Sequence, residues 1–209
     1  MVQFNLPVPP KHKGDQPGMC SVAVNATSIM FAGSRNLNLQ HNTCLLCLFI
    51  FANLGFSFYI GCAKGVDQAF RKALAQSPYY KKGFVACAFK DRTSLQHTYG
   101  LYAQLVVPAD LHPKAALHKR TLWMVQKSAM LFLFPDDPVT SRWGKGSTLA
   151  FNSALLNLKP VFVSTQHNIP RSTRYKIIPG CFCGEIPGYW VLPYTTCTGG
   201  DFENEYQKI

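Results

Sequence analysis

Negative charge is scarce in this sequence: ten Asp and Glu face twenty-one Lys and Arg among 209 residues, a formal charge of +11. An excess of this sign favours an anionic ligand or partner, nucleic acids and free nucleotides alike. Also missing is an uninterrupted apolar stretch of membrane-spanning length. No charged residue occurs from Asn36 to Ala63, but Asn53-Leu54-Gly55 divides that run into a helix-length and a strand-length piece, each the size of a buried element, so no membrane span is expected. The first eighteen residues are polar and Pro-rich, carry Lys11 and Lys13, and do not read as a secretory leader. No internal repeat and no low-complexity segment is seen.

Metal-site spacings are lacking too. The eight cysteines, Cys20, Cys44, Cys47, Cys62, Cys87, Cys181, Cys183 and Cys197, sit mostly in apolar runs and read as free thiols in a reducing compartment, which places the protein in the cytoplasm. Cys44-x-x-Cys47 falls inside an apolar helical pattern with no second pair, so core packing is the plainer reading. Cys181-x-Cys183 with Cys197 makes a better zinc candidate but lacks a clear fourth ligand, His167 being the nearest choice. No metal and no cofactor is required by any of these patterns.

A chain that is 47% hydrophobic can bury a full core unaided, and one domain over residues 1–209 is expected. Short apolar runs alternate with amphipathic ones from residue 27 to residue 164. Strands are expected at Thr27–Ala32, Phe56–Ile60, Gly83–Phe89, Ala129–Phe134 and Pro160–Ser164. Helices are expected around Leu45–Ala52, from Val66 to Leu74, from Pro113 to Lys127 and from Gly146 to Leu158, the last facing inward through Phe151, Ala154, Leu155 and Leu158. Asn36 or Asn38 is expected to cap the first helix and Gly55 to end it. Lys90–Leu111 reads as a long irregular connection. Continuous apolar strands alternating with helices predict an α/β fold with a Rossmann-like parallel sheet covered on both faces. Residues 1–26 and 165–209 lack the rhythm and read as appendages, with a late strand at Tyr189–Leu192.

In such a sheet, ligands bind outside the carboxyl ends of the strands. Three glycine-containing loops are predicted there: Gly33 to Arg35, Gly61 to Asp67, and Trp143 to Thr148. Each leads into a helix, whose first N–H groups attract anions. Glycine permits close backbone approach, Ser34, Ser147 and Thr148 offer hydroxyls, and Arg35 offers a forked, charge-assisted contact. Tight βα turns that bind nothing would use the same glycines. The loops form neither a Walker A motif nor a G-x-G-x-x-G fingerprint.

The order Ala32-Gly33-Ser34-Arg35, Gly61-Cys62-Ala63-Lys64-Gly65-Val66-Asp67, a helix bearing Arg120, Gly144-Lys145-Gly146-Ser147-Thr148 and Lys159-Pro160-Val161 resembles the SLOG superfamily, most of all its DNA-processing-protein-A and YspA-like branch. The resemblance covers about residues 27–164. It implies a nucleotide or nucleotide-derivative pocket, often in a homodimer. Gly33, Ser34 and Arg35 match its first phosphate loop, and Gly61, Lys64, Gly65 and Asp67 match its second, where Cys62 and Lys64 are ordinary variants. Arg120 matches a pocket-facing helix position, and Gly144, Gly146, Ser147 and Thr148 match its last loop. The related Lonely-guy phosphoribohydrolases carry a catalytic glutamate where this chain has Ala150 or Phe151, so no reaction is assigned. Asp136 and Asp137 are the acids nearest that position, and solvation is their plainer role.

Trp143, beside three glycines, reads either as a base-stacking platform or as a packing residue. His97, His112 and His118 lie near the Arg120 helix without a paired carboxylate. Tyr79, Tyr80, Lys81 and Lys82 interleave rings and charges as single-strand binders do, and also as ordinary helix ends do. The leading expectation is a module that binds or senses a nucleotide-like small molecule through Arg35 and the three loops. The alternative is a single-stranded nucleic-acid-binding protein like DNA-processing protein A, using Lys81, Lys82, Arg120, Arg142 and Lys145. A nucleotide-processing enzyme is the third reading.

Overall fold

A computed structural model describes residues 2–5, 21–24 and 28–194. The apolar runs become strands: β3 (Ser28–Gly33), β4 (Ser57–Gly61), β5 (Gly83–Cys87), β7 (Met130–Phe134) and β10 (Val161–Val163). Ahead of them, β1 (Val2–Asn5) and β2 (Ser21–Val24) pair with each other in antiparallel fashion. Within the Lys90–Leu111 connection lie a 3-10 turn (Lys90–Thr93), the one-turn helix α3 (Leu95–Thr98) and a further parallel strand, β6 (Ala103–Leu105). The sequence reading passed over β6 because three residues on a sheet edge are too few to show a pattern.

The main sheet runs in the order β11 (Tyr175–Phe182), β12 (Ile186–Pro193), β10, β7, β3, β4, β5, β6, and β10 through β6 are mutually parallel. The stretch after Gln166 is not a mere appendage. β11 (Tyr175–Phe182) and β12 (Ile186–Pro193) form an antiparallel hairpin whose second strand pairs with β10. It joins the sheet because Ile186, Gly188, Trp190 and Val191 are buried. Phe182 lies against Phe51 and Phe132, with centroids 5.1 and 4.8 Å away.

Helices α1 (His41–Asn53) and α2 (Val66–Ala75) pack on one face, α4 (Pro113–Lys127) and α5 (Lys145–Leu156) on the other. On the first face Phe31 stacks on Phe70 at 4.1 Å and Phe132 on Phe162 at 4.5 Å, contacts that add to the burial of large rings. Gln40, not Asn36 or Asn38, is the N-cap of α1; the Asn36 side chain is committed to Asp137 Oδ2 at 2.8 Å. Past α1, Gly55 takes φ +87, its N–H donates to Ala52 O and that of Phe56 to Phe51 O, a Schellman closure. Leu158, expected to face inward, lies beyond the end of α5 at φ 53 and is exposed. The apolar run from Cys44 to Gly61 is therefore α1, this turn and β4, and among the described residues no helix is long and apolar enough to cross a membrane.

Candidate functional site

From β3 the chain crosses to β4 on one side; from β7 it crosses to β10 on the other. The strand order reverses between these two neighbours, where open α/β sheets form their ligand crevice. A cleft of about 490 Å³ opens there, within the ordinary size of ligand sites. A second depression of about 430 Å³ lies beside the start of α1, near His41, Lys72 and Gln76; it involves none of the glycine loops.

The first loop is pinned by backbone. Ser34 N–H donates to Phe134 O at 2.9 Å, and Val66 N–H donates to Ser34 O at 3.1 Å. A side chain on Gly33 would meet Phe134 O and, at 2.7 Å, Val66 Cγ2. Gly65 takes φ +67 with its Cα facing the Ser34 and Arg35 carbonyls, a conformation that favours glycine.

At the base of the cleft, Arg120 of α4 donates to Asp67 Oδ2 of α2 at 3.1 Å, both side chains being buried. The same oxygen accepts the Ala63 N–H at 3.3 Å. A Cβ on Gly61 would overlap this ion pair, so glycine there is needed for the pair to form. Arg120 is 6% exposed and lines the cleft, and among the described residues its Nε has no hydrogen-bond partner. A buried donor of this kind is costly and calls for an acceptor.

The last loop supplies the cleft's other polar wall. Gly144 is the N-cap of α5 without a side-chain cap, and the first turn carries no acidic residue. The N–H groups of the first turn and the positive end of the helix are thus open to an anion. Arg35, Lys114, His118 and Lys145 are exposed around the mouth. Met30, Ala32, Leu117, Met124 and Ala150 give an apolar wall, and Thr121 donates its hydroxyl to Leu117 O at 2.9 Å.

Of the residues expected from sequence, Gly33, Ser34, Arg35, Asp67, Arg120, Gly144, Gly146 and Ser147 line the cleft. Gly61, Cys62, Lys64, Gly65, Trp143 and Thr148 do not. Trp143 packs edge-on against Phe151 at 5.3 Å and donates its Nε1 to Thr165 Oγ1 at 3.2 Å, so its ring serves packing. Thr148 donates its hydroxyl to Gly144 O at 3.3 Å. Cys62 is buried beside Cys87. Its thiol is pushed down to about 5, first by hydrogen bonding from Cys87 and then by Arg120, the Ala88 N–H and Arg92, against burial that raises it. Of the three histidines only His118 reaches the cleft; His97 contacts Cys62 O at 3.0 Å and His112 accepts the Lys114 N–H at 3.4 Å. Lys81 and Lys82 precede β5, at the opposite edge of the sheet from Arg120, Arg142 and Lys145.

Sequence reasoning missed Lys114 and Arg71. Lys114 stands four residues before His118, so one helix face carries both to the mouth. Arg71 is buried and donates Nη1 to Gly61 O and, at 2.9 Å, to Ala63 O, fixing the second loop. Burial lowers its pKa. Asp136 accepts from Thr165 Oγ1 and from Gln166 N at 2.8 Å. Asp137 accepts from Val139 N at 2.9 Å, and that bond, with those from Asn36 and Thr140, holds its carboxyl below the usual value. Asp136 and Asp137 form the two-residue strand β8, paired antiparallel with β9 (Arg142–Trp143), and Asp137 also lines the cleft. Among the described residues no group of three or more His, Cys, Asp or Glu is placed to hold a metal; Cys181 and Cys183 are exposed free thiols, while Cys20 and Cys197 lie outside the described residues.

No protein-family profile and no curated protein sequence matches the chain. Among solved structures it is similar to DNA processing protein A from Helicobacter pylori, described for its single-stranded DNA binding mode. The identity is 17%, the TM-score 0.50, and the match covers 69% of this chain and 68% of that one. It is also similar to DprA from Streptococcus pneumoniae, at 18% identity and TM-score 0.49, over 72% of this chain and 52% of that one. The likeness concerns the backbone: over the matched part the chain shares the α/β fold of the Helicobacter pylori protein.

Proposed function

We propose that the chain binds single-stranded nucleic acid, seating a backbone phosphate and its nucleoside in the cleft between β3 and β7. The observation that carries this reading is the convergence on one crevice of the uncapped α5 N-terminus, the buried Arg120 with an open Nε, and a rim of Arg35, Lys114 and Lys145. The apolar wall of Met30, Leu117 and Met124 suits a sugar or base beside the phosphate. The excess of cations over the whole chain and the fold shared with a protein described as binding single-stranded DNA favour a strand over a small molecule.

The second reading is a free nucleotide or nucleotide derivative in the same cleft, favoured by the cleft's volume, which suits one such ligand. Thermal unfolding and affinity measurements with mononucleotides and an oligothymidylate, across a salt series, separate the two. Binding of the oligonucleotide that weakens steeply with salt and is lost in Arg35→Ala supports the first reading, since each neutralised phosphate releases counterions. Tight, salt-insensitive binding of a mononucleotide alone replaces it with the second. No binding of either removes both.

A further inference from the structure

Among the described residues no helix beyond α4 lies over β5 and β6 on the α4/α5 face of the sheet, although parallel sheets are ordinarily covered on both faces. What lies there is aromatic. Tyr59 of β4 pairs with Phe84 of β5. Trp123 of α4 stacks over Phe84, with centroids 5.5 Å apart and planes at 29°, and meets Tyr59 edge-on at 5.7 Å. Tyr102, just before β6, meets Phe84 at 5.4 Å and is 67% exposed.

Charge of one sign frames these rings. Lys119, Trp123 and Lys127 stand four residues apart along α4 and so form one stripe on its surface; both lysines are exposed, and Lys127 Nζ lies 6.0 Å over the Trp123 ring. Neither α4 nor β4, β5 or β6 contains an Asp or Glu. The stripe begins beside the cleft, because α4 also carries Lys114, His118 and Arg120. From Lys114 to Lys127 the helix advances roughly 20 Å, the length of about six stacked nucleotides.

From this placement we propose that the Tyr102–Phe84–Trp123 face is a second contact for single-stranded nucleic acid, with a base stacking on the exposed Tyr102, which Phe84 and Trp123 back from beneath, and phosphates running along Lys119 and Lys127 toward the cleft. Rings stack on any base and cations follow any backbone, so this contact is indifferent to sequence. It rests on the nucleic-acid reading of the cleft and extends it from one nucleotide to a strand several nucleotides long.

The test is the affinity of the full chain, as wild type, Tyr102→Ala, Tyr102→Phe and Arg35→Ala, for oligothymidylates of about three and about twelve nucleotides, with sedimentation of each variant. Tyr102→Ala should weaken the longer strand on the order of 5- to 100-fold, leave the shorter one unchanged, and be rescued by Tyr102→Phe. Arg35→Ala should weaken both. Wild-type binding of both lengths that Tyr102→Ala does not alter overturns the stacking face and leaves the cleft reading standing. A dimer that Tyr102→Ala converts to monomer, with affinity unchanged, makes the face an interface between copies and equally overturns it. Failure of the wild type to bind either length removes both readings.

Discussion

The second and last glycine loops read alike in sequence, yet their glycines answer to different demands. In Gly61–Asp67 they serve the fold: a Cβ at Gly61 would overlap the buried Asp67–Arg120 pair, and Gly65 has positive φ against the Ser34 and Arg35 backbone. In Gly144–Thr148 no atom of the described residues lies within 4 Å of a Cβ built on Gly144 or Gly146. Open space around a glycine in a cleft wall leaves room for a ligand's approach. The second loop therefore holds the cleft's buried charges in place, and the last leaves its stretch of the cleft wall open.

Gly61→Ala should break that contrast most visibly. Separating a buried ion pair costs about 3–5 kcal/mol, so the unfolding midpoint should fall on the order of 10 °C; an unchanged midpoint would show that Arg120 and Asp67 can move apart freely. Asp67→Asn should destabilise somewhat less, because the amide oxygen can still accept from Arg120 while its charge goes unanswered. Read by chemical denaturation, its loss should be partly recovered in Arg120→Met/Asp67→Asn, where no buried charge is left over.

Gly144→Ala and Gly146→Ala should move stability by less than about 1 kcal/mol, Gly146→Ala upward since it lies within α5. The same variants should weaken oligonucleotide binding severalfold in titrations, and unaltered affinity would place the ligand away from the α5 N-terminus. The smallest effect is expected from Asp137→Asn. Its carboxyl is held below the usual value, so its contribution is present above the unfolded carboxylate range, near pH 4, and is lost as pH falls through the lower folded value. Midpoints of wild type and Asp137→Asn should therefore differ slightly at neutral pH and converge in acid.

Much of this was legible from pattern. Long apolar runs such as Ala129–Phe134 announced strands because a parallel strand is buried on both faces, and spacing such as Val66, Phe70, Ala73 and Leu74 announced a helix with one buried side. Gly33, Arg35 and Ser147 were expected at the cleft because βα loops of a parallel sheet must gather at one edge, whereas Arg120, inside α4, was pointed to only by the resemblance to the SLOG superfamily. β6 was too short to be seen, and β11 was missed because its residues are half-buried and mix Lys, Pro and Gly with Ile and Phe. Trp143 was ambiguous in sequence because an indole satisfies a hydrogen bond and a packing contact equally well; only the positions of Phe151 and Thr165 turn it away from the cleft.

The sequence by itself determined the α/β class, the edge of the sheet where loops converge and the chain's excess of positive charge, since these follow from periodicity, connection rules and composition. Only the tertiary structure decided which glycines are structural, which cations share a crevice and which rings gather on one face. Those depend on distances between residues far apart in the chain: Arg120 meets Asp67 across 53 positions, and no local pattern encodes that meeting.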